Sequence, residues 1–199
     1  MKESGNILFC GVGGQGILLA SELTAYALLA TGLDVKKSEV HGMAQRGGSV
    51  VAHLRYGPKV YSPLIDPGTA DIAVAFEMVE AVRYLPYLHR DSQVIVNTQK
   101  IMPPAVATGK MTYPEDILGA LTERHLAVLP VDGFGVARQV GEVRTANVVM
   151  VGALSQFLPV SADTFLQVIK ERVPARFLDV NLAAFKAGRQ LSRQEAPAK

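Results

Sequence analysis

Two stretches of this chain carry residue types and spacings that can do chemistry. A short apolar run, Asn6-Ile7-Leu8-Phe9-Cys10, empties into Gly11-Val12-Gly13-Gly14-Gln15-Gly16. Farther on stands a polar loop, Ser38-Glu39-Val40-His41-Gly42-Met43-Ala44-Gln45-Arg46-Gly47-Gly48-Ser49-Val50. In the first stretch, glycines at 11, 13 and 16 permit a tight turn, close approach of a ligand, and a helix packed closely on a strand. The helix N-terminus that follows presents unpaired N–H groups and the positive end of a dipole, so it receives an anion or a carbonyl. In the second, Arg46-Gly47-Gly48 is either a plain turn or, beside that helix N-terminus, an anion-binding concavity. His41 reads either as a solvated loop residue or as a proton carrier or phosphate donor. The candidate binding residues are therefore Gly11, Gly13, Gly14, Gln15, Gly16, His41, Arg46, Gly47 and Gly48, with Lys36 and Lys37 as nearby positive charge. Gln15 is expected to point from its turn toward a neighbouring chain or ligand. No catalytic residue stands out. His53 reads as structural, and Glu77 with Glu80 as an acid pair that stabilises a helix start.

The spacing G-x-G-x-x-G between a strand and a helix is the dinucleotide fingerprint, and by itself it is a weak signal. Its second half is missing. An acid for the ribose belongs roughly 20 residues on, yet the chain there reads Val35-Lys36-Lys37-Ser38, and Glu39 runs straight into the His41 loop. A stand-alone NAD(P)-dependent oxidoreductase is thus the alternative reading rather than the first.

The elements that position these loops follow from periodicity. The run from about Gly14 to Thr31 is helical and apolar nearly all round, so it is buried on more than one side, by a subunit interface or by the C-terminal helices. Ser49 to Tyr56 alternates as a strand, with Val50, Ala52, Leu54 and Tyr56 on one face and Val51, His53 and Arg55 on the other. Val60-Tyr61 reads as a short return strand. Asp71 to Phe76 is a buried parallel-type strand, followed by a helix carrying Met78, Val82, Leu85 and Leu88 that Pro86 bends or ends. Gln93 to Val96 is a further strand and Pro103-Pro104 a loop. Thr112-Tyr113-Pro114-Glu115 reads as a capping box ahead of a helix to His125, and Leu126 to Val131 is the next strand. Beyond Asp132 the chain is helical, with an apolar run from Asn147, Ser161 as a cap, and a last helix holding Leu178, Leu182 and Phe185.

These alternations describe one domain over residues 1–191 with a polar tail, 192–199. The fold class is α/β: a doubly wound, mostly parallel, Rossmann-like sheet with an antiparallel excursion near residues 49–61 and a helical C-terminus. Ligands of such sheets sit at the carboxyl ends of the strands, which places the Gly11 and His41–Gly48 loops, Glu77, Asn97 and Asp132 on one rim. At 199 residues and 49% apolar content, the chain buries a sizeable core. A net charge of +2 gives no reason to expect nucleic acid or an anionic membrane as partner. The longest nearly apolar stretch, Ile17 to Ala30, is shorter than the roughly 20 residues of a membrane span and contains Glu22, so the expected location is cytoplasmic. One cysteine, Cys10, excludes an internal disulfide and any cysteine-ligated iron–sulfur or zinc pattern.

The motifs match a known family nearly end to end. Gly11-Val12-Gly13-Gly14-Gln15-Gly16 and the Ser38 to Val50 stretch resemble the gamma-type small subunits of the 2-oxoacid:ferredoxin oxidoreductases, the second almost letter for letter in the indolepyruvate branch. Ala70-Asp71, Phe76-Glu77, Glu80 to Tyr84, Asn97-Thr98, Tyr113-Pro114 and Asn147 to Ala153 match as well. The resemblance implies a non-redox subunit of an enzyme that decarboxylates an aryl 2-oxoacid, forms an acyl-coenzyme A and passes electrons to ferredoxin. It implies that thiamine diphosphate and the iron–sulfur clusters sit in a large partner subunit. This chain would bind no cofactor firmly by itself and would contribute, at most, a contact to coenzyme A. Isolated from that partner, it is expected to self-associate.

Overall fold

The computed structural model describes residues 3–41 and 48–194. In chain order the elements are β1 (Gly5–Val12), α1 (Ile17–Leu29), β2 (Asp34–His41), β3 (Ser49–Gly57), β4 (Ala70–Ala75), α2 (Met78–Arg83) and β5 (Leu88–Asn97). There follow α3 (Pro104–Ala107), α4 (Ile117–Thr122), β6 (Ala127–Val131), α5 (Gly133–Val140), α6 (Ala146–Leu154), α7 (Ala162–Arg172) and α8 (Leu178–Gln194). Six strands form one sheet in the order β2-β3-β1-β4-β5-β6. β1, β4, β5 and β6 run parallel, while β3 lies antiparallel to both β1 and β2. Every strand but β3 therefore ends at the same rim, and β3 begins there.

Both faces of the sheet are covered, which is why its strands read as apolar runs. From β1, Ile7 and Phe9 enter one core together with Val50, Ala52, Leu54 and Tyr56 of β3, as the alternation predicts. That core is closed by α1 and α5–α8. Leu8 and Cys10 enter the opposite core with Val51, Val94 and Val96, beneath α2 and α4. α1 lies on β1, β2 and β3 and is flanked by α6 and α7, so the C-terminal helices supply its second cover; Leu18 and Leu29 stay at the surface. α6 and α8 approach closely enough that a Cβ on Gly188 would come within 2.0 Å of the Val149 carbonyl oxygen.

Several expectations need correcting. Val60-Tyr61 forms no strand, because the Val60 N–H donates to the Asp34 carboxylate (3.0 Å) and draws the segment against β2. The helix after β4 stops at Arg83; Pro86 sits in a 3₁₀ turn, Leu85–Tyr87, and Leu88 opens β5. Pro104 begins the single-turn helix α3 instead of a loop. The cap of α4 is Asp116, which accepts the Gly119 N–H at 2.8 Å, so the helix begins at Ile117 and not behind Thr112.

Candidate functional site

The rim is stitched together by side-chain amides and glycine backbone. Gly16 caps α1 with φ 76°, a conformation open chiefly to glycine, and Gly14 has φ 104°. The turn between them is closed from inside: Gln15 Oε1 accepts the Val12 N–H at 2.8 Å. Its Nε2 donates to the Phe76 carbonyl (2.7 Å) and to Gln99 Oε1 (3.2 Å). Gln15 is thus bonded to its own sheet, at the carbonyl that follows β4, while still lining the rim. Asn97 Nδ2 donates to the same Phe76 carbonyl, and Asn97 Oδ1 accepts the Gly133 N–H at 3.1 Å, tying β5 to the start of α5. Asp132 caps α5 through the Gly135 N–H. Asn147, buried at the head of α6, donates to the Gly16 carbonyl at 3.2 Å.

The two glycine loops do meet. The Gly13 N–H donates to the Gly48 carbonyl at 2.8 Å, and Ser49, the first residue of β3, donates its hydroxyl to the Glu80 carboxylate. Arg83 Nε pairs with the same carboxylate at 2.8 Å. Glu77 is almost wholly buried and accepts four hydrogen bonds, from the N–H groups of Val79, Glu80 and Ile101 and from the Tyr113 hydroxyl. Burial first, and then the Glu77 contact, push the Tyr113 phenol well above its ordinary range. The acid pair is structural, as its place at a helix start suggests. His53 is also structural: its Nδ1 accepts the Ile65 N–H, and burial lowers its pKa.

Between these pieces lies an open cleft of about 500 Å³. One wall is the Gly13–Gly16 turn; Asn97, Gln99 and Asn147 give it polar edges, and Phe134, Val143 and Ile101 give it apolar ones. Arg144 reaches its margin while paired with Glu142 at 2.8 Å, which holds the Glu142 carboxyl down to about 2. Of the candidate binding residues, Gly13, Gly14, Gln15 and Gly16 line this cleft. Gly11 lies beneath it, where a Cβ would press on Phe76 and Ile17. Gly48 borders it through its bond to Gly13, and His41 ends β2 on the same rim. Arg46 and Gly47 lie outside the described residues. Lys36 and Lys37 are not rim donors, since both sit within β2, Lys36 paired with Asp34 and Lys37 with Glu39. Gln99, Phe134 and Arg144 escaped sequence reasoning. Arg144, just ahead of the nearly all-apolar helix α6, is the one with a visible signal.

This geometry disfavours a nicotinamide cofactor. In the dinucleotide fold the second strand lies beside the first and brings its acid to the ribose. Here β3 is inserted between them, and the Gly13 amide that would meet a pyrophosphate is held by the Gly48 carbonyl.

Comparison with known proteins is consistent with that geometry. Residues 6–191 match the model of the family described as pyruvate ferredoxin/flavodoxin oxidoreductase. The chain is 43% identical over 187 residues to "Indolepyruvate oxidoreductase subunit IorB" of Archaeoglobus fulgidus, covering 92% of each chain. In fold it is similar to the keto/oxoacid ferredoxin oxidoreductase gamma subunit of Geobacter sulfurreducens, with a TM-score of 0.72 at 22% identity, covering 96% of this chain and 99% of that one. It is also similar to 2-oxoglutarate:ferredoxin oxidoreductase from Magnetococcus marinus, solved with 2-oxoglutarate, coenzyme A and succinyl-CoA bound. There the TM-score is 0.79 at 22% identity, and the match spans 100% of this chain and 32% of that one.

Proposed function

Since this chain belongs to the pyruvate ferredoxin/flavodoxin oxidoreductase family, as the small subunit of a 2-oxoacid:ferredoxin oxidoreductase of the indolepyruvate type, we propose that its rim cleft forms this subunit's side of the acyl-transfer site. In this reading a large partner subunit carries thiamine diphosphate and the iron–sulfur clusters, decarboxylates an aryl 2-oxoacid and hands electrons to ferredoxin. The donor set here supports that division: the one cysteine, Cys10, is fully buried in β1 with its thiol pKa pushed up by burial and then by Glu80 and Glu77. A buried thiol of that kind is a poor cluster ligand. The enzyme is cytoplasmic, residues 1–191 are the domain that docks, and 192–199 are a polar tail.

Coenzyme A, when bound, supplies the thiol that takes the acyl group. The residues present suit its other end. The first-turn amides of α1 have no side-chain cap, Arg144 stands at the margin, and Phe134, Val143 and Ile101 offer an apolar wall for a pantetheine arm. We propose His41, Arg46, Gly47 and Gly48, from the stretch that joins β2 to β3, as further residues that receive the anion. The observation that carries this reading is the cleft itself, placed at the carboxyl ends of the strands between the glycine turn and Arg144.

The test is made on the assembled enzyme. Losing one charge-assisted contact costs about 1.5 to 3 kcal/mol, so Arg46→Ala should raise the Michaelis constant for coenzyme A roughly tenfold or more. The electrons released by decarboxylation without coenzyme A should stay unchanged. An unaltered response to coenzyme A, with weaker association of the two subunits, would show instead that these loops only dock the partner.

A further inference from the structure

A second cavity opens on the helical side of α1, away from the glycine turn. Leu19 of α1, Val173 and Pro174 behind α7, and Phe177 form its apolar walls. Two arginines stand at its edge. Arg144 lies 5.4 Å from the centre of the Phe177 ring, and its guanidinium is already paired with Glu142. Arg172 differs. Its guanidinium stacks 3.4 Å from the centre of the Tyr26 ring, and it has no hydrogen bond or ion pair among the described residues. A stacked guanidinium is fixed in place yet keeps its in-plane N–H donors, the arrangement suited to gripping a carboxylate with two parallel bonds.

Size narrows the ligand further. The cavity holds about 200 Å³, somewhat more than the roughly 150 Å³ engineered cavity that takes up benzene. One flat ring system with a short acidic arm fits; a nucleotide does not. We propose that this cavity binds a small aromatic carboxylate, its ring against Phe177 and Leu19 and its acid on Arg172. The two aromatic acids at hand are the aryl 2-oxoacid itself and the arylacetate that its acyl product yields on hydrolysis. Naming them rests on the reading of the substrate given above, whereas the ring-plus-carboxylate chemistry does not. Because Asn147 and Arg144 line both this cavity and the rim cleft, such a ligand sits one side-chain layer from the proposed acyl-transfer site.

Binding to the full chain is measured by calorimetry, with no turnover needed, so its outcome is independent of whether the rim cleft takes coenzyme A. Indole-3-acetate and indole-3-pyruvate should each saturate one site, and the tighter of the two identifies which acid the cavity serves. Indole alone and acetate alone should bind at least about tenfold more weakly, since each lacks one half of the recognition. Arg172→Gln should weaken both acids by a similar factor, while Lys170→Gln, on α7 but outside the cavity walls, should not; circular dichroism checks that both variants are folded. Two results would overturn the proposal: no saturable binding of either acid, or equal affinity for acetate and the indole acids.

Discussion

On the face of the sheet that carries α1 and α5–α8, Ile7, Phe9, Leu54, Val74 and Ile95 meet Phe165 and Phe185, whose rings stack 5.4 Å apart. The opposite face starts with the same kind of residue, Leu8, Cys10, Val94 and Val96 under α2 and α4. Into this second layer, however, Glu77, Glu80 and His53 are buried, each with partners. The first face fixes the domain mainly by shape; its buried polar residues, such as Thr24, Asn147 and Ser155, are uncharged and bond to helix carbonyls or within their own helix. The second carries polar groups whose partners, Ser49, Ile101 and Ile65, all belong to loops or strand beginnings. Packing therefore holds the scaffold, and buried hydrogen bonds of the other layer hold the segments that leave it.

The largest blow to the first face should come from Gly188→Ala. The new Cβ would lie 2.0 Å from the Val149 carbonyl oxygen, backbone that cannot turn aside, so α6 and α8 must separate. Overpacking of this kind costs about 3 kcal/mol, and the melting temperature should drop by roughly 6 to 12 °C. A change of a degree or two would show that the two helices are not held as tightly as their glycines indicate.

On the second face, Glu77→Ala should cost about 2 kcal/mol, combining a lost helix cap with the stranded Tyr113 hydroxyl and Ile101 amide. Its signature is local. Gln99 and Ile101 amide resonances should shift, and Tyr113 should titrate at lower pH than in the parent, because one of the influences raising it is gone. Uniform destabilisation with Tyr113 unmoved would place Glu77 among the merely packed residues.

The smallest effect is the pH dependence contributed by His53. Burial depresses its folded pKa below the ordinary 6.5. Stability from neutral His53 is therefore fully present above about pH 6.5 and is lost as pH falls through the folded value, where a proton on Nδ1 would displace the Ile65 N–H. Thermal melts between about pH 7 and pH 5 should decline less steeply for His53→Gln than for the parent. Identical slopes would mean that another group sets the acid limb.

The first face was readable in the sequence because β1 and β4 read as apolar runs, β3 alternates, α1 and α6 are apolar nearly all round, and α7 and α8 repeat their apolar residues at helical spacing. The glycine turn was readable too, since Gly11 to Gly16 specify local backbone. Distance in sequence hid the rest. Gln15 finds the Phe76 carbonyl only after β4 has paired with β1, and nothing near residue 15 announces it. Gln99 and Arg144 reach the cleft from segments far apart in the chain. Val60 failed to extend a hairpin because Asp34 captured its amide, a partner that periodicity does not weigh.

β2 and β3 are consecutive and antiparallel, paired residue for residue from Asp34↔Gly57 to His41↔Val50. The segment joining them is thus the tip of a ribbon whose two ends stay at a fixed separation, whatever lies between. Closing a longer tip adds little, about 0.6 kcal/mol for each doubling of length. The residues between the strands can therefore be exchanged or lengthened without retuning the sheet below, because the register of β2 on β3 is set by the strands' own pairing.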